Sequence, residues 1–85
     1  MTSTEQLDKL GDMLVDQTVP MKARNRALFT LKNLGGKEAI KNISKGFKDP
    51  SALLKHECAY CLGQMQDESA IEILISVLKN LNGKF

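Results

Sequence analysis

The apolar residues of this chain recur at intervals of three and four, the spacing that places side chains on one face of an α-helix. No segment alternates apolar and polar residues in the way that a half-buried strand does. The pattern predicts five helices, over residues 4–16, 20–34, 37–48, 50–65 and 67–81. Because the connections between them are short, we expect consecutive helices to lie antiparallel. The predicted fold class is therefore all-α.

Polar residues at two helix starts fit known capping patterns. Thr2 and Glu5 fit a capping box at the beginning of the first helix. Asp49 fits an N-terminal cap of the fourth helix, with Pro50 in its first turn. These residues set the predicted starts of the two helices.

The chain matches itself at an offset of 31 residues. Four identities share this register, with matching apolar classes around them: Leu31 on Leu62, Ala39 on Ala70, Ile40 on Ile71 and Lys48 on Lys79. The first helix matches the second half of such a repeat at an offset of 33. The pattern resembles a HEAT-type solenoid of helical hairpins with a period of 31 residues. The predicted units are a half repeat at 2–17 and repeats at 18–49 and 50–82.

The fifth predicted helix is too apolar all round to cap the end of a solenoid. Its apolar residues are Ile71, Ile73, Leu74, Ile75, Val77, Leu78 and Leu81. We therefore expect a further helix to cover it, and expect the chain to be the N-terminal piece of a longer protein. We also expect the uncovered helix to favour self-association.

Composition narrows the class of protein further. Hydrophobic residues make up 42% of the chain and charged residues 26%, which is typical of a globular domain. The sequence contains neither a bilayer-spanning apolar run nor a signal peptide, so we expect no membrane association and a cytoplasmic location. A net charge of +2 and few aromatic residues argue against nucleic-acid binding.

The positive charge is concentrated in the middle of the chain. Residues 22–48 hold eight basic residues and one acidic residue. Four of the lysines form one stripe of a helix: Lys37, Lys41, Lys45 and Lys48. A solvated helix face is the first interpretation of this lysine stripe, and a docking surface for an acidic partner is the second.

The two cysteines form a C-x-x-C pattern in the fourth helix, which raises the question of a redox or zinc site. Cys58 and Cys61 fall on the apolar face of that helix, and no second Cys or His pair stands at zinc-ligand spacing. We interpret both as small buried hydrophobic residues. Tyr60 aligns with Phe29 at the 31-residue offset, and we interpret it as a packing position.

His56 is the only histidine in the chain. At 100° per residue it points away from the apolar face of the fourth helix. Its neighbours on that side are the small residues Ala52, Ala59 and Gly63, which we expect to leave room for another group to approach. A lone histidine is most often structural or simply exposed, whereas small neighbours and an adjacent acid favour a functional site, so both readings stay open.

The segment around His56 resembles a known motif. Residues 51–57, followed by Ala59, Tyr60, residues 62–65 and Asp67, closely resemble the first His-Glu motif of the deoxyhypusine hydroxylase family. The resemblance implies HEAT-like repeats in two halves, each half with two His-Glu motifs that together hold a di-iron centre. It also implies an O2-dependent hydroxylation of deoxyhypusine to hypusine in the partner, eukaryotic translation initiation factor 5A.

Carried over to this sequence, the motif makes His56 an iron ligand and Glu57 the accompanying carboxylate, which either ligates the metal or orients metal or substrate. Asn25 and Arg26 stand at the equivalent positions one repeat earlier, so the first repeat lacks the motif. A second motif is expected one period after His56, beyond Phe85. We therefore expect this segment alone to be inactive. The alternative is a non-catalytic HEAT-repeat scaffold that binds a protein.

Overall fold

The structure, a computed structural model, describes residues 3–82, with side chains up to residue 79. The helices are α1 (Thr4–Leu14), α2 (Met21–Leu34), α3 (Gly36–Ser44), α4 (Ala52–Met65) and α5 (Glu68–Asn82), with a 3-10 turn at Lys45–Lys48. This part of the chain contains no strand, so the all-α prediction is confirmed. None of these helices combines the length and the apolarity that crossing a bilayer requires.

The first helix begins one residue later than the capping prediction placed it. The Ser3 side chain accepts a hydrogen bond from the Gln6 backbone N–H at 3.2 Å, and the Gln6 side chain accepts one from the Ser3 N–H at 3.0 Å. These two bonds close a capping box on Ser3. The box predicted for Thr2 and Glu5 is therefore wrong, and Thr2 itself lies outside the described residues.

The cap of α4 also differs from the prediction. Ser51 caps the helix, because its hydroxyl accepts a hydrogen bond from the Leu54 N–H at 3.2 Å. Pro50 precedes this cap and so stands outside the first turn. Asp49 does not cap the helix, since its carboxylate accepts a hydrogen bond from the Ser51 N–H at 2.9 Å and faces a buried arginine.

That arginine, Arg24, ties α2 to the turn before α4. Its Nη1 atom lies 3.6 Å from Oδ2 of Asp49, and its Nε–H donates to the carbonyl of Val19 at 3.0 Å. Both charged side chains are almost fully buried. Because the pair lies beyond hydrogen-bond distance, electrostatic attraction holds it together in a region from which water is largely excluded.

The predicted third helix is divided by its own packing. The regular helix ends at Ser44, whose hydroxyl donates to the Ile40 carbonyl at 2.7 Å, and the chain continues as the 3-10 turn. Gly46 lies in this turn directly against Cys58 of α4, and a Cβ at that position would overlap the sulfur atom. The close approach of the 3-10 turn to α4 therefore depends on a glycine.

The core lies between the helix pairs. Helix α1 packs on α2 and α3, α4 packs on α2, and α5 packs on α3 and α4. The buried apolar side chains include Leu14, Leu28, Leu31, Ile40, Ile43, Leu54, Cys58, Cys61 and Leu62. Hence α2 and α3 are covered on two sides, whereas α4 and α5 are covered on one.

Candidate metal site on helix α4

Helix α4 presents His56 and Glu57 on the side away from the core. Leu54, Cys58 and Cys61 are fully buried, as the apolar stripe predicted. His56 is exposed and Glu57 is half-buried. Consecutive helical residues point about 100° apart, so the two side chains lie on neighbouring faces of the helix. The structure therefore keeps both candidate ligands accessible.

The small residues beside His56 have a packing role. A Cβ built on Gly63 would lie 4.0 Å from Cδ1 of Leu74, and Ala59 is half-buried. The side of α4 that carries Ala59 and Gly63 therefore packs near α5. Ala52 and Gly63 are nevertheless exposed, so the expectation that these residues leave room for an approaching group is correct at two of the three positions.

A groove lies beside His56, between the first half of α4 and helix α5. It encloses about 660 Å³ and is bounded by the 3-10 turn, α4 and α5. Its lining residues are Ser44, Phe47, Lys48, Lys55, His56, Ala59, Ile73, Leu74, Val77 and Leu78. His56 therefore borders a mostly apolar groove, whereas Glu57 is not among its lining residues.

Glu57 shares the outer face of α4 with Tyr60 and Gln64. The Gln64 amide donates a hydrogen bond to the Tyr60 hydroxyl at 3.1 Å. Tyr60 is 54% exposed, so its interpretation as a packing position is wrong for this structure. Tyr60 stands three residues after the charged Glu57, and residues at that spacing share a helix face. This spacing is the sequence feature that indicated an outward position for Tyr60. Phe29, the equivalent residue on α2, is likewise exposed.

The two cysteines of the C-x-x-C pattern are buried and unreactive at neutral pH. Both thiols are free and buried, as the sequence indicated. Burial raises the pKa of Cys58 to about 12, with smaller contributions from Cys61 and from the carboxylates of Asp49 and Glu57. Burial also raises the pKa of Cys61. Because thiolates are the reactive and metal-binding form, neither side chain is suited to redox chemistry or to zinc at neutral pH.

The chemistry of the exposed pair suits a metal ion as part of a larger donor set. An imidazole nitrogen and a carboxylate oxygen are common ligands of non-haem iron. Over residues 3–82, no three or more His, Cys, Asp or Glu side chains are arranged to hold a metal. Helix α4 thus offers two donors, and any further ligand must come from other residues.

The lysine stripe is mostly solvated. Lys37, Lys41 and Lys48 are exposed, and the Lys45 ammonium lies 3.3 Å from the carboxylate of Asp12 on α1. One of the four charges is therefore partly balanced within the chain. This arrangement favours the first interpretation, a solvated helix face.

The helix pairs of this chain match a known repeat. Residues 7–83 match the HEAT repeats family. The chain belongs to the HEAT-repeat family. The predicted solenoid of helical hairpins is therefore confirmed, with the exact repeat bounds remaining predictions.

Among HEAT-repeat proteins, this chain is similar to deoxyhypusine hydroxylases. It is 62% identical over 80 residues to that of Drosophila pseudoobscura pseudoobscura, covering 94% of this chain and 26% of the relative. It is 57% identical over 82 residues to that of Rattus norvegicus, and the match covers 96% of this chain and 27% of the relative. The structure of human deoxyhypusine hydroxylase in complex with glycerol matches with a TM-score of 0.84 at 56% sequence identity. This match covers 93% of this chain and 27% of the human chain. The resemblance noted from the sequence is confirmed, and the chain spans about a quarter of its relatives' length.

Proposed function

We propose that this chain is a HEAT-repeat segment of an iron-dependent deoxyhypusine hydroxylase. The proposed reaction is the O2-dependent hydroxylation of deoxyhypusine to hypusine in eukaryotic translation initiation factor 5A, in the cytoplasm. The observation that carries the proposal is the accessible His56 and Glu57 pair, in a chain at least 54% identical to proteins named deoxyhypusine hydroxylase.

His56 is the stronger candidate ligand of the two. Its side chain is exposed and borders the groove, so the imidazole is accessible to a metal ion. Bound iron would supply the capacity to activate molecular oxygen, which protein side chains lack. The chain's own contribution is to hold the imidazole on a rigid helix next to the apolar groove.

Glu57 has two roles open to it. Its carboxylate is half-buried on the outer face of α4, one position from His56. From there it either ligates the metal or binds a cationic amine of the substrate. Two donors do not fill the coordination sphere of an iron ion, so we expect the segment alone to be inactive.

The test uses the full-length protein that contains this segment. We expect His56→Ala to lower both iron content and hydroxylation of factor 5A by about 100-fold or more, because a direct ligand is lost. Glu57→Gln keeps the size of the side chain and removes its charge. Iron retained with lost turnover in this variant would assign Glu57 to the substrate. Loss of both iron and turnover would assign it to the metal.

Two variants serve as controls for that test. Asn25→Ala changes the equivalent position one repeat earlier, and Lys41→Ala changes an exposed residue on α3 that does not line the groove. Both are expected to keep normal iron content and activity. If His56→Ala also keeps them, the hydroxylase proposal fails. If the full-length protein in addition takes up no iron, the alternative of a non-catalytic scaffold gains support.

A further inference from the structure

Helix α2 carries an unusual excess of positive charge. It holds four basic residues, Lys22, Arg24, Arg26 and Lys32, and no acidic residue. Arg24 is buried against Asp49. The other three are exposed or half-buried and form no ion pair with any residue between 3 and 79. Three cations on one helix are therefore available to a partner.

An exposed aromatic ring lies among these cations. Phe29 is 41% exposed, and the Lys32 ammonium lies 5.6 Å from the centre of its ring. Lys22, Arg26 and Phe29 are spaced four and three residues apart, which places them on one stripe of α2. Arginine and aromatic side chains are the residues that contribute most to protein interfaces.

The exposure of this stripe is a property of the fold. Helix α2 already contacts α1, α3 and α4, and the stripe stays uncovered in spite of these three neighbours. Tyr60 occupies the equivalent position on α4, and packed helix axes lie about 8–10 Å apart. Phe29 and Tyr60 therefore occupy equivalent, exposed positions on two helices that pack against each other.

We propose that this outer surface, formed by Lys22, Arg26, Phe29, Lys32 and Tyr60, docks an acidic segment of a partner protein. The carboxylates of the segment meet the three cations of α2, and its apolar side chains lie on the two aromatic rings. The inference is independent of the metal proposal, because none of these residues is a candidate ligand. It assigns a partner chemistry to a surface outside the His56 groove.

Other positive surfaces of the chain fit this partner less well. The exposed lysines of the stripe on α3, Lys37 and Lys41, have no exposed aromatic ring on their helix. On α5 the positions equivalent to Lys37 and Lys41 carry the exposed acidic residues Glu68 and Glu72, so that helix offers no positive charge there. A nucleic acid is also disfavoured, because the chain has a net charge of only +2 and few aromatic residues on which bases could stack.

The test measures binding of this chain to a fluorescent helical peptide that carries Glu along one edge and Leu and Phe along the other. We expect the double charge reversal Lys22→Glu with Arg26→Glu to weaken binding by about 10-fold or more. Phe29→Ala is expected to weaken it by about 5-fold. The matched control replaces Lys37 and Lys41 with Glu, which makes the same charge change on α3. It should weaken peptide binding by less than about 2-fold.

Equal losses from the two reversals would overturn the proposal, because they would indicate diffuse attraction to net charge. Failure of the unaltered chain to bind the peptide would overturn it as well. A labelled single-stranded oligonucleotide forms the third arm, and tighter binding of that probe through the same residues would replace the protein partner with a nucleic acid. Circular dichroism of each variant checks that the helices persist.

Discussion

The two helix pairs α2–α3 and α4–α5 align at an offset of 31 residues but differ in how far they are covered. Ile40 of α3 is 2% exposed, whereas Ile71, its equivalent on α5, is 45% exposed. The same residue type at the same repeat position thus has two environments. The difference arises because α2–α3 lies between α1 and α4–α5, whereas the described residues cover α4–α5 on one side.

The comparison separates two kinds of exposed residue. Positions exposed only in α4–α5, such as Ile71, mark the face on which a repeat normally receives a neighbour. Positions exposed in both pairs, such as Phe29 and Tyr60, mark the outer surface of the solenoid. His56 belongs to the first kind, because its equivalent Asn25 is half-buried with its side-chain oxygen fully enclosed.

The largest effect is expected from the buried ion pair between Arg24 of α2 and Asp49 in the turn before α4. Arg24→Met leaves Asp49 charged, buried and unpaired, and should lower the free energy of unfolding by about 3–5 kcal/mol. Lys55 is the exposed equivalent on α4, and Lys55→Met should change it by less than about 0.5 kcal/mol. Urea unfolding measures the loss of unfolding free energy in both variants, and equal losses would contradict this prediction.

The two equivalent isoleucines provide the next largest contrast. Ile40→Ala removes a fully packed side chain and should cost about 2–4 kcal/mol. Ile71→Ala removes a side chain that is nearly half exposed and should cost less than about 1 kcal/mol. Thermal and urea unfolding report both values. If Ile71→Ala is as costly as Ile40→Ala, then α5 is covered in solution.

Such a cover is expected from a second copy of the chain. The uncovered side of α5 exposes Ile71, Ile75 and Leu78, and burying them stabilises a dimer at high concentration. Sedimentation equilibrium should show the average mass rising with concentration. Leu78→Glu should shift this rise to at least about 10-fold higher concentration, while Thr30→Glu on the outer face of α2 should leave it unchanged. A single species at every concentration would contradict the expectation.

The effect that is smallest at neutral pH, and that appears only as the pH rises above about 9, concerns the buried thiol of Cys58. Its pKa is raised from 9.0 to about 12 by burial, so the unfolded chain loses this proton before the folded chain does. The stabilising contribution is complete below about pH 9 and is lost as the pH rises toward 12. Unfolding free energies measured across this range should fall less steeply for Cys58→Ala. Identical slopes would show that the thiol does not contribute.

The sequence predicted the helices and the core well, because apolar periodicity reports directly on burial. Ile40, Ile43 and Leu54 are buried as their spacing indicated. The caps were less predictable, since Ser3 and Ser51 each have a neighbouring polar residue that competes for the same role. Which hydroxyl or carboxylate caps a helix depends on where its tertiary contacts place it.

The site was only partly predictable for a related reason. The 100° rule placed His56 away from the core, and the structure agrees. The groove beside it could not be predicted, because its walls come from the 3-10 turn, α4 and α5, whose relative placement is set by tertiary packing. The exposure of Tyr60 was recoverable from its spacing to Glu57, but alignment with a second aromatic residue suggested packing instead.

The proposed function depends on ligation of iron by His56 in the full-length protein. Crystals of that protein grown with iron, measured at wavelengths on both sides of the iron absorption edge, test it directly. We expect an anomalous difference peak within bonding distance of the His56 imidazole. Iron peaks elsewhere, with none at His56, would contradict the claim and leave this histidine as an exposed residue of a HEAT-repeat surface.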